Sequence, residues 1–304
     1  MSRPLREIVL EQTLRLYLRH FLLWLALLLP VAATAALLFV IVRAIASAAI
    51  GPHPSNAAAR AAAGVAWVAA GVWLLAGGIG GQTLALRMLG DGPDPPVNGI
   101  LLDLVRRGPR LLAVTALVVL LVAVLGLAGI GLAAAVAWSP LLLLPHLGVS
   151  EGTARSIALL LLLPLLVLGS IPAIRAFARN VLAIPFAALG SRSVAATLLV
   201  GRRASQGQLI TILGLLIVTT LASQVAVLLC RAAASLFTLF FAPGYYRPIF
   251  GEGPLDQGAG LVVQVGATLF ASFLTLPLQL LPVSVIAREL HGRAGGESFR
   301  TYPR

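Results

Sequence analysis

Residues 190–229 read GSRSVAATLLVGRRASQGQLITILGLLIVTTLASQVAVLL. The first part is polar and basic, with Arg192, Arg202 and Arg203, and the last part, residues 209–229, is apolar and carries no charge. About 20 apolar residues, at roughly 1.5 Å rise each, are enough to cross a hydrocarbon core of about 30 Å. The stretch therefore predicts a basic helix on the membrane surface, followed by a helix that spans the membrane.

The composition of the whole chain also indicates a membrane protein. Hydrophobic residues make up 59% of the 304 residues and charged residues only 11%, and the mean hydropathy is +0.99. Soluble domains carry roughly 25% charged residues, so this chain lacks the polar surface that a soluble fold needs. The net charge is +12, and all 22 basic residues are arginines. Because these arginines lie beside apolar spans, the expected partners are the bilayer and its anionic phospholipid headgroups, not nucleic acid.

Six apolar stretches are long enough to span a membrane, which predicts an all-α, polytopic helical membrane protein. Amphipathic interfacial helices are predicted before spans 1, 3 and 5, and residues 180–189 are expected to form a semi-polar connector. We divide the chain into a single six-span transmembrane domain, residues 1–290, and a polar cytoplasmic tail, residues 291–304. The predicted spans cover residues 21–42, 61–86, 111–137, 156–174, 209–229 and 259–287.

The distribution of arginine predicts the orientation of these spans. Of the 22 arginines, 17 lie in the N-terminal segment, in residues 85–110 and 175–207, and in the C-terminal tail, whereas five lie in the loops on the other side. This bias predicts a multi-pass protein with both termini in the cytoplasm. A cleaved signal peptide is the competing interpretation of span 1, but the polar lead, residues 1–20, is too long for one.

The plan of a basic surface segment followed by a span occurs three times, in residues 8–42, 98–137 and 195–229. A true triplication predicts three hairpins related by rotation about the membrane normal. Convergence on a pattern that many membrane segments share is the alternative.

Residues that carry chemistry are scarce inside the predicted spans. None of the spans contains Asp, Glu, His or Lys, which counts against a proton-coupled pump or an intramembrane enzyme with catalytic carboxylates. The four histidines lack metal-ligand spacing, a chain without Lys cannot form a P-loop, and Cys230 has no second cysteine for an internal disulfide. We expect no enzyme, no metal site and no cofactor. A membrane enzyme remains a third hypothesis, which requires Asp91, Asp94 or Asp103 to converge with a histidine.

Three sets of residues are candidates for a role in packing or binding. Gly77 and Gly81 form a GxxxG pair that favours close packing of helices. The glutamines of spans 5 and 6 could bond the two helices together or line a polar path; they are Gln224, Gln264 and Gln279. The arginines beside the spans could contact lipid headgroups or reflect ordinary positive-inside topology; they are Arg106, Arg107, Arg110, Arg192, Arg202 and Arg203.

The order of surface helix and span in residues 187–203, together with the closing segment LLPVSVIAREL of residues 280–290, resembles a bacterial family. It is the membrane domain attached to some glycerophosphoryl diester phosphodiesterases, with related free-standing six-span membrane proteins of unknown function. The resemblance implies the bacterial inner membrane as the location. Members often carry a more tyrosine-rich and basic segment after the last span, where this chain has His291, Gly292 and Arg293. The sequence shows no hydrolase domain with metal-binding carboxylates and histidines, so we do not expect phosphodiesterase activity.

These observations favour a non-catalytic integral membrane protein that organises lipid or a membrane protein partner. The alternative is a component of a transporter or exporter for a lipid or a neutral solute. That alternative requires a cavity lined by Gln224, Gln264 and Gln279.

Overall fold

The computed structural model describes residues 5–50, 56–89, 94–144, 146, 148–190, 193–241 and 255–293. Over these ranges the chain forms α-helices and no strand, and six of the helices are long and apolar enough to span a membrane. The protein is thus an all-α, multi-pass membrane protein. The helices are α1 Leu5–Arg19, α2 Phe21–Ile50, α3 Asn56–Met88, α4 Val97–Leu143, α5 Glu151–Asn180, α6 Ala183–Leu189, α7 Val194–Ser205, α8 Leu209–Phe241 and α9 Leu255–Arg293.

The basic segments before spans 1, 3 and 5 are all helical, but they join their spans in different ways. The first and third are separate helices, α1 and α7, whereas the second is continuous with its span in the 47-residue helix α4. The chain turns between α7 and α8 at Gly207, whose φ is 79°, a conformation that glycine adopts without steric cost. The corresponding junction of α4 contains Gly108 and Pro109, which stay within the helix.

The expectation of a semi-polar connector at residues 180–189 is wrong. This segment contains α6, and its residues from Ala183 to Ala188 are buried. Because residues 181–189 carry no charged or polar side chain, the segment has no group that would hold it at the membrane surface. It packs instead between α3, α4 and α7.

The six spans pack as three antiparallel hairpins, α2 with α3, α4 with α5, and α8 with α9. In the second hairpin the two backbones touch, because a Cβ added to Gly129 would lie 2.9 Å from the carbonyl carbon of Gly169 and would collide with its oxygen. One turn away, a Cβ on Gly126 would meet Ala173 at 3.5 Å. Small residues thus bring α4 and α5 into direct contact, as is common where helices associate within lipid.

Helix α3 lies at the centre, and its glycines contact three different helices. A Cβ on Gly77 would lie 2.7 Å from Val31 of α2, and a Cβ on Gly81 would lie 3.1 Å from Leu27 of the same helix. Gly78 faces α9 and Gly80 faces α4, where the added Cβ would be 2.5 Å and 2.9 Å from leucine side chains. The prediction that Gly77 and Gly81 serve helix packing is confirmed.

Two hydroxyls and an amide join the C-terminal part of α3 to α9. Thr83 Oγ1 donates to Ser284 Oγ at 3.0 Å, and Gln82 Nε2 donates to the carbonyl of Pro277 at 3.2 Å. All three side chains are buried or nearly so. These hydrogen bonds join the two helices, as polar side chains commonly do between helices in a membrane.

The core is concentrated at one end of the bundle, where α2, α4 and α8 begin and α3, α5 and α9 end; we call it the basic end. Here Trp24, Leu84 and Ile286 are buried to 1% exposure or less. Toward the opposite end many large apolar side chains are exposed, such as Leu37 and Leu160 at 59% and 77%. The basic end is therefore closely packed, while many described side chains toward the opposite end remain available for contact with lipid.

Candidate functional site

Two arginines near the start of α4 reach the end of α6. Arg107 Nη1 donates to the carbonyl of Ala188 at 2.5 Å. Arg110 donates to the carbonyl of Gly190 and, through Nη2, to Thr197 Oγ1 at 3.1 Å. The last carbonyls of a helix have no partner within that helix, and a cation placed there is stabilised by the helix dipole. These contacts fasten α4 to α6, and Arg110 also holds the beginning of α7.

Helix α7 lies directly against α6 and α5. A Cβ added to Gly201 would lie 2.6 Å from the nitrogen and 2.7 Å from the Cα of Ala183, so the two backbones are in contact. Ser205 Oγ donates to the carbonyl of Arg179, at the end of α5, at 2.9 Å. The basic surface helix is thus seated on the bundle at a fixed position.

A groove lies beside α7, between α4 and α5. It consists of two adjoining cavities of about 410 and 370 Å³, which share Leu121, Asn180 and Arg202. Arg175 and Arg179 line the groove from α5 and Arg202 lines it from α7, and Ile171 and Pro172 continue the α5 wall toward the middle of the span. The apolar residues that line it are Leu117, Val118, Leu121 and Leu125 of α4, Ile171, Pro172 and Ala176 of α5, and Ala195, Leu198 and Leu199 of α7.

The charge of the groove is entirely positive among its lining residues. Arg175 and Arg179 are four residues apart and share one face of α5, where like charges repel, and Arg202 adds a third charge from α7. Within the described ranges, no ion pair joins any of these three to a carboxylate. Such a site suits a ligand with a negatively charged head and an apolar body, because guanidinium groups bind phosphate oxygens in a fixed bidentate geometry.

The structure places the predicted headgroup arginines in different surroundings. Arg202 lines the groove, Arg106 is exposed on α4 outside it, and Arg203 is exposed on α7. Arg107 and Arg110 are half-buried and engage the backbone of residues 188–190 as described above. Arg192 lies outside the described residues. Headgroup contact by these six residues stays a prediction.

The predicted polar path also stays a prediction. Gln224 is exposed on α8 and Gln279 is half-buried on α9, while the side chain of Gln264 lies outside the described residues. Neither cavity of the groove is lined by Gln224 or Gln279.

One aspartate meets a histidine at the basic end. Asp94 Oδ1 lies 2.6 Å from His20 Nδ1, with the Asp94 side chain half-exposed. Asp103 is half-buried on α4, and Asp91 lies outside the described residues. The convergence that the enzyme hypothesis requires therefore occurs for Asp94. General acid–base catalysis also needs a reacting group within hydrogen-bond reach of the acid or base. As a structural contact, the pair of Asp94 and His20 joins the segment before α4 to the junction of α1 and α2.

Sequence reasoning did not select Arg175, Arg179 and Asn180 as site residues. The spacing of the two arginines at the end of a span was a signal, since residues four apart share a helix face. The sequence does not show where α7 lies in the bundle. Its position brings Arg202 to the same groove as Asn180, whose side chain is buried at 4% exposure.

Comparisons with protein families, with curated proteins and with solved structures find no match to this chain. The resemblance to phosphodiesterase membrane domains therefore stays an expectation.

Proposed function

We propose that this protein is a non-catalytic membrane protein that organises anionic phospholipid at its basic end. The proposed location is a bacterial inner membrane, with both termini in the cytoplasm. In that orientation the basic end would face the cytoplasmic leaflet. Its partners would be phospholipid headgroups or a membrane protein held beside them.

The observation that carries the proposal is the set of exposed arginines at one end of a closely packed bundle. Arg175, Arg179 and Arg202 are exposed there, and in the described part of the chain none of them is paired with a carboxylate. A basic residue near an anionic membrane surface contributes about 1 kcal/mol of attraction. Several such residues, fixed on a rigid end, would concentrate anionic lipid around the protein.

The test is the composition of the lipid that stays with the protein. Nanodiscs are assembled from equal amounts of phosphatidylglycerol and phosphatidylcholine, the protein is extracted in mild detergent, and the retained lipid is quantified by mass spectrometry. We expect phosphatidylglycerol to be enriched, and the enrichment to fall at high salt because exposed charges are screened. Retention of the two lipids in their bulk ratio would contradict the proposal.

A further inference from the structure

The groove between α4, α5 and α7 carries its charge on α5 and α7 and is apolar on α4. Its three arginines stand at the basic end, where Arg175 and Arg179 occupy the last turns of α5 and Arg202 lies near the end of α7. Ile171 and Pro172 continue the α5 wall away from the arginines, toward the middle of the span. On the α5 wall, the apolar residues therefore lie deeper in the bundle than the arginines.

The α4 wall is a continuous apolar strip. Leu117, Leu121 and Leu125 are four residues apart and follow one face of the helix. At 1.5 Å per residue this strip is about 12 Å long. The contacts of Gly129 with Gly169 and of Gly126 with Ala173 place it level with the last turns of the antiparallel helix α5, and Leu125 is its deepest residue. Leu117 and Leu121 are 45% and 37% exposed, so the groove is open to the side, toward lipid.

The shape and the charge select one class of occupant. A free phosphate ion could contact the three guanidinium groups, but it would leave the apolar strip of α4 without a partner. An apolar molecule could fill the strip, but it would leave three like charges uncompensated. A molecule with a phosphate at the interface and a chain within the hydrocarbon satisfies both parts.

We propose that this groove binds one anionic phospholipid of the leaflet at the basic end. The phosphate lies among Arg175, Arg179 and Arg202, and one acyl chain passes Leu121 and Leu125 toward Ile171 and Pro172. This proposal rests on the proposed function, since it assigns one defined site to the lipid preference suggested for the whole basic end.

The experiment compares groove variants with controls that carry the same change elsewhere. The groove variants are Arg175→Gln, Arg179→Gln and Arg202→Gln, and the control is Arg106→Gln, which removes the same charge at the same end outside the groove. The probe is phosphatidylglycerol added to the delipidated protein in detergent. Native mass spectrometry counts the bound lipid and gives its affinity.

We expect the wild-type protein and Arg106→Gln to bind one phosphatidylglycerol with the same affinity. Each groove substitution should weaken that binding about tenfold, because a hydrogen bond to a charged group contributes enough free energy for such a change. The chain end is tested with Leu121→Trp, which fills the strip, against Leu120→Trp, a neighbouring exposed position that does not line the groove. Only Leu121→Trp should weaken binding.

The other outcomes separate the two proposals. If Arg106→Gln weakens binding as much as the groove variants do, the lipid preference is delocalised, and the groove site is refuted while the proposed function stands. If the wild-type protein binds phosphatidylcholine as well as phosphatidylglycerol, the proposed function fails as well. If inorganic phosphate competes with phosphatidylglycerol at equal concentration, the site is one for a free anion, and the lipid assignment is wrong. A circular dichroism melt of each variant verifies that it is folded before its binding is interpreted.

Discussion

Replacing Gly201 by alanine tests whether α7 is held on the bundle at a fixed distance. The new Cβ would lie 2.6 Å from the nitrogen of Ala183, whereas ordinary contacts begin at 3.4 Å. The neighbours are backbone atoms of α6 that no side-chain rotation can remove. Helix α7 must therefore move outward by about 0.8 Å, the difference between the two distances.

The energetic cost follows from that displacement. A gap of about 0.5–1 Å forfeits roughly a quarter to a half of each dispersion contact across it. The same movement would lengthen the bond from Ser205 Oγ to the carbonyl of Arg179 from 2.9 Å to about 3.7 Å, beyond hydrogen-bonding distance, with a loss of about 0.5–1.5 kcal/mol. Alanine gains about 1 kcal/mol over glycine in a helix. Since overpacking costs about 1–3 kcal/mol, the three contributions together give a net destabilisation of about 0.5–3.5 kcal/mol.

The measurement is the free energy of unfolding in mixed micelles, followed by circular dichroism as SDS is added. Gly214→Ala is the matched control, because Gly214 is also inside a helix but a Cβ there would meet nothing within 4 Å. We expect Gly214→Ala to be neutral or stabilising and Gly201→Ala to be destabilising. Equal stability of the two variants would show that α7 is not pressed against α6, and the description of its seat would be wrong.

Two further predictions concern the arginine clamp and the orientation in the membrane. Arg110→Met removes the donors to the end of α6 and to α7, so it should lower the free energy of unfolding by about 1.5–3 kcal/mol. The control Arg106→Met, at an exposed position, should change that free energy by less than about 0.5 kcal/mol. Equal effects of the two substitutions would contradict the clamp. The orientation is tested in the Cys230→Ser variant, with a membrane-impermeant thiol reagent applied to spheroplasts. The reagent should label Glu151→Cys, which lies opposite the basic end, and should leave Gln206→Cys unlabelled. The reverse pattern would contradict the proposed orientation.

The sequence is sufficient to predict the helical class and the number of spans, because hydrocarbon imposes both. A spanning segment must satisfy its backbone hydrogen bonds internally and must be apolar over about 20 residues. The six predicted spans coincide with α2, α3, α4, α5, α8 and α9. The helices extend past the predicted bounds, as α2 does to Ile50, because helical backbone continues into the interfacial region where hydropathy no longer marks it.

The same reasoning fails at α6 for a physical reason. Its seven residues are too few to span a membrane, and apolar periodicity over so short a segment does not distinguish a connector from a buried helix. Burial of α6 depends on partners that are distant in sequence, such as Arg107 at Ala188 and Gly201 at Ala183. These contacts arise only when the hairpins are assembled.

The candidate site shows the same limit, since one residue type serves two purposes. Five arginines flank apolar segments, and their sequence surroundings do not distinguish them; they are Arg107, Arg110, Arg175, Arg179 and Arg202. The orientation of α4 about its own axis turns Arg107 and Arg110 toward carbonyl groups of residues 188–190. The other three arginines, on α5 and α7, stand around an open groove. Packing decides which face of a helix points into the bundle. The sequence therefore predicts a basic end but not which arginines remain available to a ligand.

Packing and binding are therefore coupled through α7. Arg202 is one residue from Gly201, so the contact of Gly201 with Ala183 also fixes the distance between Arg202 and the two arginines of α5. Because the groove exists before any ligand enters, little ordering is needed on binding, and its affinity should depend on how firmly α7 is seated. Gly201→Ala should then weaken phosphatidylglycerol binding although it removes no charge, while Gly214→Ala should leave it unchanged. If Gly201→Ala lowers stability but binds the lipid as the wild-type protein does, the phosphate is held without Arg202, and the site reduces to the α5 pair.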